Sequence, residues 1–172
     1  VVTPSTTSSS SARSIRRRAR SRTVSTRPSE SILNNESYEA SVGAEGVGLM
    51  RTEFLVLGRT AMPEEDEQYR AYTKVVSAFD EHPIVIRTFD MGGDKLPVGG
   101  YPTEANPFLG WRSIRISLDV EEIFKTQLRA ILRVGTLGRV RLLIPMISSL
   151  EEVLKVKELL AEARDELQRE ST

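Results

Sequence analysis

The chain has 172 residues, with 24 Lys plus Arg balanced by 24 Asp plus Glu, so its overall charge points to neither a nucleic-acid binder nor an acidic tail. The lack of cysteine excludes disulfide frameworks, thiolate metal sites and cysteine nucleophiles, and a single histidine, His82, excludes a histidine-cluster metal site within the chain. No apolar run approaches the roughly 18 residues of a membrane span and no apolar h-region lies near Val1, so the expectation is a soluble, cytoplasmic chain without a secretory signal.

Charge is unevenly placed. Residues 1–29 hold nine Ser and seven Arg with no acidic residue, leaving 17 basic against 24 acidic residues from position 30 onward. Such a stretch has too little apolar surface to offset its chain entropy, and disorder is expected over residues 1–42, the last dozen or so acting as a joint. The Arg-Ser run from Ala12 to Arg22 is also compatible with phosphate neutralisation on a nucleic acid, a disfavoured role, or with a transit peptide.

From Gly43 to Thr172 apolar runs alternate with amphipathic segments, the pattern of an α/β fold built from βα units. A first strand, Val47-Gly48-Leu49-Met50, leads into Arg51-Thr52-Glu53-Phe54. Pro63 and the acidic run Glu64 to Glu67 suit a helix start, with Tyr69, Tyr72, Val76 and Phe79 as its inner stripe. A second strand, Pro83 to Ile86, leads into Arg87-Thr88-Phe89-Asp90, and a glycine-rich loop of about 25 residues follows. Asp119 and Glu122 are spaced as a capping box, before a helix whose inner residues are Val120, Ile123, Phe124, Leu128, Ile131 and Leu132 and which ends near Gly135. A third strand is expected over Val140 to Ile147. Ser149 with Glu152 caps a last helix with Val153, Val156, Leu160, Ala163 and Leu167 facing inward.

Two strands thus end alike, each with Arg-Thr followed by an acidic and an aromatic residue. In a parallel sheet these ends share one edge, where ligands of α/β proteins bind, so Arg51 and Arg87 are expected to point to a common place. Guanidinium groups match carboxylate and phosphate oxygens, and two side by side call for a small, multiply charged anion. Simple ion pairs with Glu53 or Asp90 are the structural alternative. Gly92-Gly93-Asp94-Lys95 is compatible with an anion nest or a plain turn, and no Walker A or GxGxxG string occurs. Arg112 and Arg115 either extend the cationic patch or form a solvated face around a Phe108 and Trp111 core. His82, at a strand entrance, is expected to be structural or exposed. The carboxylates at Glu64 to Glu67 and Glu151-Glu152 are explained by helix starts.

Taken together, the strings Gly43 to Leu55, Val85 to Lys95, Asn106 to Arg112 and Ile144 to Ile147 resemble enzyme I of the bacterial phosphoenolpyruvate-dependent sugar phosphotransferase system. Pyruvate phosphate dikinases and phosphoenolpyruvate synthases share the first string more than the second. The resemblance implies a transferase of kinase type and, for this chain, the first half of a (β/α)₈ TIM barrel. It also implies phosphoenolpyruvate bound by Arg51, Arg87, Lys95 and Arg112, with Mg²⁺, the phosphocarrier protein HPr and a homodimer partner. The family's Mg²⁺ ligands, a Glu in Val-Glu-Thr-Pro and an Asp in Gly-Thr-Asn-Asp, have no counterpart here, nor do its phosphoacceptor His and a later proton-donating Cys. The text before Gly43 replaces the family's first barrel strand, as a truncated or frameshifted reading frame would. Without those Mg²⁺ ligands and the acceptor His the chain is expected to be inactive alone, and an incomplete barrel with two exposed sheet edges is expected to be unstable, self-associating or partner-dependent. The alternatives are a non-catalytic fragment that pairs with a full-length barrel, and a nucleic-acid tether using the basic arm.

Overall fold

The computed structural model describes residues 43–79, 82–92 and 110–171. The expected disorder of residues 1–42 and most of the glycine-rich loop, including Lys95 and Phe108, lie outside the described residues. Three strands, β1 (Val47–Arg51), β2 (Ile84–Arg87) and β3 (Val140–Leu143), form a parallel sheet in sequential order. Among the described residues, four helices accompany them: α1 (Glu65–Phe79), α2 (Ile114–Asp119), α3 (Glu121–Val134) and α4 (Leu150–Glu170), with a 3₁₀ turn at Glu53–Leu55. The α/β expectation holds at this level.

Both crossovers pack onto the same side of the sheet. Ile84 and Ile86, which alternate with Val85 and Arg87, are fully buried against Tyr72, Val76 and Phe79 of α1 and Ala130, Ile131 and Val134 of α3. Each such side chain contributes about 2 kcal/mol by leaving water. A second cluster joins Phe124 and Leu128 of α3 to Val156, Leu159 and Ala163 of α4. The sheet therefore sits on a layer of helices, and its other face carries Val85 and Arg87.

Parallel strands start level because the chain approaches itself closely at Gly46. Its φ of +131° is a glycine conformation, and a Cβ there would come 2.5 Å from the carbonyl oxygen of Pro83. The next residue, Val47, donates its N–H to that same oxygen at 3.1 Å.

Several sequence expectations need correction. Asp119 does not cap α3: its carboxylate accepts from the Trp111 indole N–H, and Val120 occupies the cap position without a side-chain hydrogen bond. The reason is the preceding short helix α2, whose last turn, closed by Val120 N–H to Ile116 C=O at 2.9 Å, runs almost directly into α3. The inner face of α3 also includes Gln127, Ala130 and Val134, while Val120, Ile123 and Leu132 are only half-buried. The third strand is half its expected length. Thr88 N–H to Leu143 C=O is a bond at its end, and Met146 then takes a left-handed φ of 61° that turns the chain. On α4, Leu159 rather than Val153 faces inward, and Val153 is exposed. The Ser149 and Glu152 capping box is present as expected.

Candidate anion site

The carboxyl edge of the sheet gathers charged residues from three segments. Arg51 and Arg87 are register partners on β1 and β2. A one-residue irregularity between Val47 and Met50 produces this pairing, because Val47 pairs with Ile84 while Met50, rather than Leu49, pairs with Ile86. Side chains alternate along a strand, so the offset turns Met50 into the helix-facing core and Arg51 to the face of Arg87.

Like charges on neighbouring strands repel, and Glu53 lies between them. Its carboxylate accepts from Arg87 Nη2 at 2.8 Å and from Arg51 Nε at 3.4 Å, and also from the backbone N–H of Asp90 at 2.9 Å. Asp90 in turn pairs with Arg87 Nη1 at 3.4 Å and with Arg112 Nη2 at 2.9 Å and Nε at 3.3 Å. The result is a chain of alternating sign, Arg51, Glu53, Arg87, Asp90, Arg112. Glu53 is only 9% exposed and Arg87 16%, whereas Arg51 is 69% exposed. Among the described residues, three guanidinium groups share two carboxylates. The Nε of Arg87 is buried without an acceptor among the described residues, a donor whose full cost when unanswered is about 1–3 kcal/mol.

Arg112 reaches the cluster because its backbone is fixed twice. It forms an isolated antiparallel bridge with Gly92, and the next residue, Ser113, donates its N–H to Met91 C=O at 2.9 Å. Ser113 is buried with φ of 53° and ψ of −122°, and its hydroxyl donates to Pro145 C=O at 3.1 Å. A non-glycine residue in this region costs about 1–3 kcal/mol, so surrounding contacts hold it there.

Of the sequence-derived candidates, Arg51, Arg87 and Arg112 come together and Lys95 lies outside the described residues. Glu53 and Asp90 pair with them, so the ion-pair alternative and the convergence are both realised. Arg115 does not share a helical face with Arg112; it donates to Gly110 C=O at 2.7 Å. His82 is exposed at the amino end of β2, away from this edge.

Sequence reasoning missed a buried polar relay behind the cluster. Gln127 of α3 donates from Nε2 to Thr52 Oγ1 and to the Tyr72 hydroxyl, both at 3.1 Å, and its Oε1 accepts the Phe89 N–H at 3.0 Å. The Thr52 hydroxyl donates to Arg87 C=O at 2.8 Å. Tyr72 donates to Gln68 Oε1 at 3.0 Å, and Gln68 to Pro63 C=O at 2.9 Å. Burial holds the Tyr72 phenol above its ordinary value of 10.0, so it remains a neutral donor. The available signal was a glutamine on each apolar helical stripe, Gln68 four residues before Tyr72 and Gln127 three after Phe124.

Residues 31–172 match the family model described as PEP-utilising enzyme, PEP-binding domain. The chain belongs to this family of phosphoenolpyruvate-utilising enzymes. Among its relatives are proteins named phosphoenolpyruvate-protein phosphotransferase. The one from Buchnera aphidicola subsp. Schizaphis graminum is 53% identical over 116 residues, covering 67% of this chain and 20% of the relative. That of Staphylococcus carnosus is 50% identical over 129 residues, 74% of this chain and 22% of the relative. That of Bacillus subtilis is 48% identical over 126 residues, 73% and 22% respectively. The chain thus spans about a fifth of the length of these relatives.

Proposed function

We propose that the chain carries part of the phosphoenolpyruvate site of an enzyme I-type phosphotransferase, with Arg51, Arg87, Arg112 and Lys95 as its anion-binding residues. The observation that carries this reading is the excess of cations: three guanidinium groups converge on two carboxylates at the carboxyl edge of a parallel sheet, and Arg87 Nε lacks an acceptor among the described residues. The ion pairs hold the planar forks in place before ligand arrives, and a carboxylate plus a phosphate answer the remaining donors.

In this reading the 43–172 segment is the first half of a (β/α)₈ barrel, supported by the sequential parallel strands with both crossovers on one side. The family match begins at residue 31, so in this reading the Ser/Arg-rich stretch before it is a separate segment. The phosphoryl group leaves the enol oxygen for a histidine nitrogen, the P–O electron pair stays on that oxygen, and the resulting enolate takes up a proton at C3 to give pyruvate. This chain's part is to bind and orient the donor. His82 is at the wrong end of β2 to accept the group, so the acceptor belongs to another domain or protein, as do the contacts to HPr and to a dimer partner. Mg²⁺ belongs to the family's chemistry, but Glu53 and Asp90 already accept from guanidinium groups, so these donors suit an anion and not a divalent cation. Among the described residues no helix is long and apolar enough to cross a membrane, and a cytoplasmic setting fits this reading.

The test is calorimetric titration of the 172-residue chain with phosphoenolpyruvate, alongside a variant carrying Arg51→Ala and Arg87→Ala. Binding by the parent and its loss in the double variant are expected; equal binding by both overturns the assignment.

A further inference from the structure

We infer that Gln127 is a positioning residue for the anion site, setting the backbone from Arg87 to Asp90 and through it the guanidinium of Arg87. The inference deepens the phosphoenolpyruvate reading and rests on it for the ligand, but its structural half can be read without any ligand.

The geometry assigns this role to Gln127 because its amide reaches the turn that follows β2 twice, once directly and once through the Thr52 hydroxyl. Its Oε1 takes the Phe89 N–H directly at 3.0 Å. Its Nε2 fixes the Thr52 hydroxyl oxygen at 3.1 Å, which leaves the Thr52 proton to bond Arg87 C=O at 2.8 Å. Two peptide groups, on either side of Thr88, are thus tied to one side chain from α3. Thr52 belongs to the turn after β1, so the same amide also joins the segments bearing Arg51 and Glu53 to the segment bearing Arg87 and Asp90.

Proton directions around the relay are mutually consistent. Gln127 uses both of its N–H groups as donors, while Thr52 and Tyr72 each accept once and donate once. Gln127, Thr52, Tyr72 and Gln68 are all essentially without exposure, so water is a poor substitute for any lost partner. A hydrocarbon at 127 leaves the Phe89 N–H unanswered and frees Thr52 to rotate. Asp90 follows Phe89 and donates its N–H to Glu53 Oε1, so the displacement reaches the ion-pair chain itself.

The experiment compares Gln127→Met with Tyr72→Phe. Tyr72→Phe removes the helix-side hydrogen bonds but leaves the Thr52 and Phe89 contacts, so it serves as a control for stability loss alone. Two quantities are read on folded protein: phosphoenolpyruvate affinity, and amide hydrogen exchange at Phe89 and Asp90 without ligand. Gln127→Met is expected to weaken affinity about tenfold and to speed exchange at Phe89 and Asp90 about tenfold relative to Ile84 and Ile86. Tyr72→Phe should lower the melting temperature yet leave affinity and this exchange ratio unchanged. If Gln127→Met keeps both quantities at the parent value, or if Tyr72→Phe changes them equally, the inference is overturned. Should the parent not bind phosphoenolpyruvate, that reading fails, and the exchange ratio still decides whether Gln127 sets this turn.

Discussion

Two ion-pair networks in this molecule use the same residue types to opposite ends. On the helix layer, Lys125, Arg129 and Arg133 of α3 face Glu65 and Asp66 of α1 and Glu162, Glu166 and Glu170 of α4, so carboxylates outnumber cations. Arg133 also lies 4.2 Å over the ring of Tyr69. At the sheet edge, three guanidinium groups share two carboxylates, and the more buried members sit in the middle of the chain. The first network leaves no cation in excess and joins three helices. Among the described residues the second has one cation more than it has carboxylates, the balance that the proposed anion site calls for. Ion pairs alone therefore say little about function; the local charge balance and what anchors the backbone beneath it say more.

The sharpest way to break this contrast is at Arg87. Arg87→Ala removes the closest partner of Glu53 and the middle of the chain, and is expected to abolish phosphoenolpyruvate binding and cost about 2 kcal/mol in denaturant titration, below the range for fully buried pairs because both groups retain some exposure. Arg51→Ala should weaken binding about tenfold while shifting stability by less than about 0.5 kcal/mol, since that side chain is largely in solvent. A stability loss at Arg51 equal to that at Arg87 would show that both act as structural ion pairs.

The helix network should respond in the reverse sense. Arg129→Ala is expected to destabilise by about 1 kcal/mol and leave phosphoenolpyruvate affinity unaltered, measured by melting and titration of the same sample. A smaller effect concerns pH. Hydrogen bonding to Arg133 lowers the Asp66 carboxyl from 3.8, and hydrogen bonds from Lys125 and Arg129 lower Glu162 and Glu170 from 4.5. Groups with depressed folded-state values stabilise fully above their unfolded values and lose that contribution as pH falls through the folded ones. The melting temperature should therefore drop as pH falls below about 4.5, and Arg129→Ala should flatten part of that slope. An unchanged slope would mean that the Glu170 pairing contributes nothing in solution.

Much of this architecture is legible in the residue order. Alternation at Ile84 and Ile86, the acidic first turn of α1, and the Ser149 and Glu152 cap depend on neighbours within a few positions. The repeated Arg-Thr ends marked Arg51 and Arg87 as candidates; Arg112 was marked together with Arg115, and the resemblance alone separated the two. The failures were of another kind. Asp119 has a capping residue's spacing, but Trp111 engages it and a short helix runs into α3. Gln68 and Gln127 lay on apolar stripes where only their partners, up to 75 positions away, explain them.

By itself the sequence determined the places of β1, β2, α1, α3 and α4 and which cations stand at the strand ends, because those properties follow from periodicity and local hydrogen bonding. Only the tertiary structure decided that Arg51 shares a face with Arg87. That outcome turns on one extra residue in β1 between Val47 and Met50, and a shift of one position inverts every side chain beyond it. Register is set by the neighbouring strand and the helices beneath it, which no local pattern in β1 encodes.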